Sequence, residues 1–200
     1  TQLLAGTNVL YSNTGNVSTS GGSAGSGSAE GSVVPADVLS SKLVRSVVAK
    51  LRGASAIPLK GNFFGAYVHP DQSIDLQAET GAAGWREPHS YSAPGNIWAG
   101  EIGAYQGCFF VETPRVYAPR DGADRDGAGA GTTKSSVYRS LFLGGQALAE
   151  AVSEELNITI GPVTDPHNRH RPLGYHAAMG WGIYRQDCLW RVETGSSNDF

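Results

Sequence analysis

The residues that could do chemistry in this chain are histidines and carboxylates. The histidines are His69, His89, His167, His170 and His176. His167 and His170 lie three residues apart, a spacing that can bind a metal when both side chains project from one helix. Pro166 and Pro172 bracket the pair and favour a loop instead, and two neighbouring arginines oppose a bound cation. We expect a loop with polar contacts, and a metal-dependent hydrolase that uses His167 and His170 remains an alternative.

A second group with catalytic potential is His69, Asp71 and Asp75, which could suggest an acid–base dyad. Pro70 more simply ends a strand, and Asp71 more simply caps the helix that follows. No nucleophile elbow or phosphate-binding loop accompanies these residues. Residues 121–127 lack the spacing and the final Glu of a calcium loop. We therefore predict no catalytic, cofactor-binding or metal site, and a protein that is not an enzyme.

Composition limits the remaining classes. The 200 residues are 40% hydrophobic and 16% charged, with 27 glycines and a formal net charge of −3. This length and balance suit one domain with many turns, or two small lobes that share a core, and argue against a broad nucleic-acid-binding surface. No run reaches the roughly 18 apolar residues of a membrane span, and no signal peptide is visible. Because the chain starts at Thr1, we expect a processed product or a piece of a longer one.

The two cysteines, Cys108 and Cys188, are too few for a disulfide framework. We expect free thiols, with Cys108 in the buried face of a strand. The four tryptophans, Trp85, Trp98, Trp181 and Trp190, lie within strand or turn patterns, for which we expect burial.

The elements that must position these side chains begin with a short apolar group at residues 1–12 and a Gly/Ser-rich stretch to residue 32, expected to be flexible. Pro35 to Arg52 then predicts an amphipathic helix that Gly53 ends. Its apolar stripe is Leu39, Leu43, Val44, Val47, Val48 and Leu51.

The rest of the chain alternates between strand and helix patterns. Phe63–Val68 predicts a buried strand, Asp71–Leu76 a short helix, and residues 101–117 a glycine-punctuated pair of strands. Residues 137–143 predict another strand. The spacing of Ala147, Leu148, Ala151 and Val152 predicts a helix over residues 146–156, which a short strand at 157–160 follows. Strand pairs fill Leu173 to Val192. Together, these helices and strands predict an α+β fold.

Several spaced blocks resemble the major capsid proteins of tailed bacteriophages, in the branch related to the N-four-like phages. The blocks are residues 65–71, Asp75-Leu76, Trp85, residues 100–103, 107–113, 137–147, Asp165-Pro166 and 173–193. The resemblance covers about residues 35–195, and residues 100–113 are its most specific portion.

This resemblance implies the Hong Kong 97-type capsid fold, with a peripheral domain that contains a long spine helix and an axial domain of mixed sheet and helices. By analogy, residues 1–32 are the remnant of a preceding element plus a flexible loop, and residues 33–62 hold the spine helix of the peripheral domain. Residues 63–168 form the axial domain, and residues 169–200 return to the peripheral domain as C-terminal strands.

The function implied is that of a major capsid subunit that assembles into hexamers and pentamers of an icosahedral shell around double-stranded DNA. Such a shell is built in the bacterial host cytoplasm and located in the virion, with portal, scaffolding or cement proteins as further partners. Packaged DNA would meet the inner face without sequence-specific binding, and no membrane is involved. An extracellular glycan- or protein-binding β-rich module, with the tryptophans as a stacking platform, is the alternative.

Overall fold

The structure, a computed structural model, describes residues 2–13, 16–19, 33–79, 101–118, 134–163, 167 and 169–198. Several features discussed above lie outside these ranges: His89, Trp85, Trp98, the loop at 121–127 and most of the Gly/Ser-rich stretch. Among the described helices, none is both long enough and apolar enough to cross a membrane.

Nine strands and two α-helices make up the described chain. A 3-10 turn at Gln2–Ala5 opens it, and another lies at Gln186–Cys188. The helices are α1 (Ser41–Gly53) and α2 (Pro70–Ala78). The strands are β1 (Val9–Asn13), β2 (Asn16–Thr19), β3 (Phe64–Val68), β4 (Glu101–Tyr105), β5 (Cys108–Glu112), β6 (Tyr138–Leu143), β7 (Leu148–Ile160), β8 (Leu173–Ile183) and β9 (Leu189–Thr194). The α+β class expected from the sequence is confirmed.

Among the described strands, seven form one mixed sheet in the order β2-β1-β9-β6-β3-β5-β4, and β7 pairs only with β8 in a separate two-stranded sheet. The β1–β9 and β3–β5 pairs are parallel, whereas the other pairs are antiparallel. Strand β9 therefore lies inside the sheet, between the N-terminal strand β1 and strand β6.

Helix α1 packs its apolar stripe on one face of this sheet. Val44, Val47 and Leu51 are fully buried there, in one cluster with Phe110 and Phe142. The predicted stripe is confirmed from Leu43 to Leu51, because a helix that places apolar residues every three or four positions can bury one side completely. Leu39 is buried in the same cluster but lies before the helix.

The start of α1 differs from the prediction. The helix begins at Ser41 rather than at Pro35. The Asp37 carboxylate instead accepts a hydrogen bond from the Val34 amide, at 3.0 Å, which folds residues 34–37 into a turn. At the observed start, the Glu79 carboxylate accepts bonds from the Ser41 amide (2.8 Å) and hydroxyl (2.9 Å). A distant carboxylate thus caps the positive end of the helix dipole.

Strand β3 and helix α2 occur where the sequence predicts them, but the cap of α2 differs. Asp71 was expected to cap the helix. Instead, His69 is the N-cap, and its Nδ1 accepts a bond from the Asp71 amide at 3.3 Å while the Gln72 side chain accepts one from the His69 amide. Pro70 occupies the first helical turn, where its missing amide proton costs nothing.

The β4–β5 hairpin, also predicted, turns through Gln106 and Gly107. Both residues have positive φ angles, 52° and 87°, as a tight two-residue hairpin turn requires. A Cβ at Gly107 would lie 2.8 Å from the Arg52 guanidinium, so this turn also sits close against the end of α1.

Two predictions about secondary structure between these elements are also wrong. Residues 146–156 do not form a helix: residues 148–160 are the single long strand β7, which also absorbs the predicted short strand at 157–160. The cause is its pairing with β8 along most of its length, a partner that helical periodicity cannot reveal. Residues 16–19, placed within a flexible stretch, form β2, which pairs antiparallel with β1.

The division into peripheral and axial domains stays a prediction. Elements from 33–62, 63–168 and 169–200 all contribute to the α1-covered core and, in the case of β3, β6 and β9, to one continuous sheet.

Candidate assembly surface

The β7–β8 hairpin is the most unusual surface of the described chain. Every residue of β7 is exposed, and so are the first nine residues of β8. A two-stranded hairpin is marginally stable in water by itself, because it has no third element against which to bury a face. A hairpin of this length with both strands exposed is therefore a candidate contact surface.

The two faces of the hairpin differ sharply. Residues directly opposite each other across paired strands project from the same face. The register sets Leu148 against Ile183, Val152 against Met179 and Ile158 against Tyr175, so that one face is almost entirely apolar. Its large apolar members are Leu148, Val152, Ile158, Ile160, Leu173, Tyr175, Met179, Trp181 and Ile183, and the charged residue Glu150 lies on the same face, opposite Trp181.

The opposite face carries small and polar residues. Ala151 pairs with Gly180 and Thr159 with Gly174, and a Cβ on either glycine would meet no atom within 4 Å. His176 lies on this face, with its Nε2 at 2.6 Å from the Glu154 carboxylate. Because this face carries small and polar residues, it can stay in water, and only the apolar face gains from burial.

The apolar face is large. Tyr175 is 80% exposed, Leu173 70% and Trp181 55%. Together its exposed side chains amount to roughly 600 Å² at typical areas per aliphatic and aromatic group. That value is at the upper limit for the largest apolar patch of an ordinary monomer, and such patches mark interaction sites.

Trp181 is therefore exposed, contrary to the burial predicted from the sequence, whereas Trp190 is partly buried. The alternation that places Trp181 on an apolar face says nothing about what covers that face. Trp190 lies half-buried under α1, where the Lys50 ammonium stands 4.9 Å from its ring centroid.

A groove of about 530 Å³ adjoins the base of the hairpin. It is lined by Leu3, Leu4, Tyr67, Thr113, Arg115, Val116, Tyr117, Arg139, Leu141, Leu143 and Leu148.

A cluster of charges lies beside this groove. The Arg139 guanidinium is 4.0 Å from the Tyr117 ring centroid and 3.7 Å from the fully buried Glu193 carboxylate. The same carboxylate lies 2.7 Å from the Arg191 guanidinium. Burial lowers the pKa of Arg139, and burial together with Glu193 raises that of Tyr11.

The residues considered for catalysis serve as structural hydrogen-bond partners. The Tyr138 hydroxyl donates to Asp71 at 2.7 Å, and the Ser197 amide donates to Asp75 at 3.1 Å. His69, Asp71 and Asp75 are all buried. The carboxylates of Asp71 and Asp75 link α2 to β6 and to the segment after β9. Because both carboxylates are buried, a substrate cannot reach them.

Gln72 extends this polar contact into the core. Its side chain accepts from the Ser140 hydroxyl and donates to the Thr194 hydroxyl, both at 2.6 Å. A fully buried amide is tolerated only when its donor and acceptor atoms are hydrogen-bonded. These two hydrogen bonds join α2 to strands β6 and β9 of the sheet.

The remaining sequence candidates are scattered. His167 and His170 are exposed between β7 and β8, and His176 lies on the polar face of that hairpin. Within the described ranges, no group of three or more His, Cys, Asp or Glu side chains could hold a metal ion. Cys108 and Cys188 are buried free thiols, as predicted, and burial raises the pKa of Cys108 to about 12.

Solved capsid structures share this fold at low sequence identity. A chain of the cyanophage Pam1 capsid asymmetric unit aligns with a TM-score of 0.61 and 17% identity over 84% of this chain and 50% of that chain. The capsid of Ralstonia phage GP4 gives 0.57 and 18%, over 86% and 51%. The acid-stable capsid of Helicobacter pylori bacteriophage KHP30 gives 0.52 and 10%, over 79% and 59%.

This chain thus spans about half the length of those capsid chains. No curated protein matches it. The model of the family described as phage capsid protein, however, matches residues 2–174, most of the chain. The chain therefore belongs to the phage capsid protein family.

Proposed function

We propose that this chain acts as a major capsid subunit of a tailed bacteriophage and that its task is to bind other subunits. Membership of the phage capsid protein family supports a structural role. The observation that carries the proposal is the exposed apolar face of the β7–β8 hairpin, because a protein that worked alone would gain by burying or losing those side chains.

The finer features belong to the same proposal. The fold is of the Hong Kong 97 type, in the N-four-like branch, with residues 63–168 as axial domain and the flanking segments as peripheral domain. Copies assemble in the host cytoplasm into hexamers and pentamers of a shell that encloses double-stranded DNA, with portal, scaffolding or cement proteins as further partners. The likeness to three capsid folds supports these features by analogy.

Self-association suits the chemistry of the hairpin. A subunit of a closed shell repeats each contact by symmetry, so a contact of modest strength suffices when every copy makes several. Large aromatic side chains such as Trp181 and Tyr175 supply contact area with few rotatable bonds. The alternative of a glycan-binding module is not favoured by the family to which the chain belongs.

The experiment compares wild type with Trp181→Glu and the control Ala149→Glu, which adds the same charge to the polar face of the hairpin. Electron microscopy and sedimentation of the purified chain should show rings or shells for wild type and control, and a large loss for Trp181→Glu. A wild-type chain that remained monomeric at high concentration would contradict the proposal, as would normal assembly of Trp181→Glu.

A further inference from the structure

The apolar face of the hairpin has opposite charges at its two ends. Glu150 stands on this face near the base, opposite Trp181, and Arg171 lies two residues before Leu173, at the tip. Both residues are exposed. Within the described part of the chain, neither has an ion-pair partner.

These two charges cannot meet within one hairpin. About ten residues of β7 separate Glu150 from the tip, which corresponds to roughly 33 Å at the rise of a strand. An extended arginine side chain covers only a fraction of that distance. Among the described residues the two charges therefore lack a partner in their own hairpin, and a second molecule can pair both of them.

We propose that two copies of this chain pack the apolar faces of their β7–β8 hairpins together in antiparallel orientation, with Arg171 of each copy against Glu150 of the other. The inference rests on the proposed self-association and names its contact. A two-fold axis makes such a contact self-complementary, because each copy offers both halves of every pair.

The size of the face fits a second copy. Its roughly 600 Å² of exposed apolar side chain approaches the ~800 Å² that each partner contributes to a standard interface. Two twisted sheets commonly pack face to face at about 10 Å, which lets Trp181 and Tyr175 interdigitate with their counterparts. The charges at the ends form the polar rim that such interfaces have.

The charges also select the orientation. In the antiparallel arrangement, opposite charges meet at both ends, whereas a parallel arrangement would bring Arg171 against Arg171 and Glu150 against Glu150. Like charges placed together disfavour the wrong partner orientation. The contact should weaken as salt rises, because rim charges are screened.

The test measures self-association by analytical ultracentrifugation of Glu150→Arg, Arg171→Glu and the double variant, with Arg45→Glu on the outer side of α1 as the control. Each single variant places like charges at both ends, so we expect association to weaken about tenfold, or about 1.4 kcal/mol. The double variant restores both pairs in every copy and should return to within about threefold of wild type. The control should match wild type.

A cross-linking experiment tests the antiparallel orientation independently. Ala177 lies on β8 between Tyr175 and Met179, near the middle of the apolar face and hence near the two-fold axis. Ala177→Cys should form a disulfide-linked dimer on oxidation. Leu173→Cys should not form such a dimer, because the two-fold axis places the two Leu173 positions at opposite ends of the face.

The outcomes separate this contact from the proposed function. Shells that form normally from both single charge variants would overturn the antiparallel contact while leaving a capsid role intact. Weakened association without rescue in the double variant would also overturn it. A wild-type chain that never associates would overturn both.

Discussion

Gly195 should tolerate no side chain, although its backbone conformation is ordinary. A Cβ at this position would lie 2.3 Å from the Val34 carbonyl oxygen and 3.0 Å from the Pro35 Cα. Both are backbone atoms, so no side chain can rotate away. The Gly195 amide also donates to the Asp37 carbonyl at 2.9 Å, which fastens the end of β9 to the turn before α1.

The cost of Gly195→Ala follows from these contacts. Overpacking that shifts backbone costs about 1–3 kcal/mol, and loss of the hydrogen bond to Asp37 adds about 0.5–1.5 kcal/mol. We therefore expect the free energy of unfolding to fall by about 2–4 kcal/mol. This is a large fraction of the stability of an ordinary domain.

Urea unfolding of dilute protein, followed by tryptophan fluorescence, measures this change as a shift of the midpoint at constant slope. Gly180→Ala is the matched control. A Cβ there meets nothing within 4 Å, and its effect should stay within about 0.5 kcal/mol. If Gly195→Ala were as stable as Gly180→Ala, the close packing of residues 34–37 on the end of β9 would be wrong.

Two further predictions concern the core. Val47→Asp places a charge in the fully buried stripe of α1 and should lower the free energy of unfolding by about 4 kcal/mol or more. Expression should then yield little soluble protein. The control Ala49→Asp, on the exposed side of the helix, should express normally. The Cys108 thiol should make stability fall as pH rises from about 9 towards 12, because the unfolded thiol ionises near 9.0 and the folded one only near 12. Chemical unfolding across that range should show a shallower decline for Cys108→Ala, and equal slopes would contradict the buried, protonated thiol.

The sequence predicts those elements whose signals are local. Phe64, Ala66 and Val68 alternate as a strand must, and Pro70 marks the start of α2. Gln106 and Gly107 supply the positive φ angles of a tight turn. In each case, a few adjacent residues decide the structure, so neighbours distant in sequence are not needed to predict it.

The β7 strand shows where local signals fail. Leu148, Ala151 and Val152 match a helical stripe, and the intervening alanines and glutamates are good helix formers. The same segment also alternates with a period of two, placing Leu148 and Val152 on one face. Pairing with β8, more than a dozen residues away, decides between the two patterns. Tertiary contacts of this kind override propensity.

The candidate surface was predicted only in part for the same reason. Alternation in β8 shows that Tyr175, Met179 and Trp181 share a face, and burial was the natural expectation for it. What covers a face depends on the elements opposite it. Among the described elements, the turn Gln2–Ala5 and the main core meet this face at its base, and its outer part is exposed. Only the three-dimensional structure therefore shows that the outer part of this face is exposed.

The interior position of β9 has a consequence for synthesis. Without this strand, the sheet falls into two pieces, β2-β1 on one side and β6-β3-β5-β4 on the other. A nascent chain therefore cannot close its sheet until residues 189–194 have left the ribosome. If subunits pair through the hairpin as proposed, an unfinished chain without its continuous sheet would be held back from premature assembly.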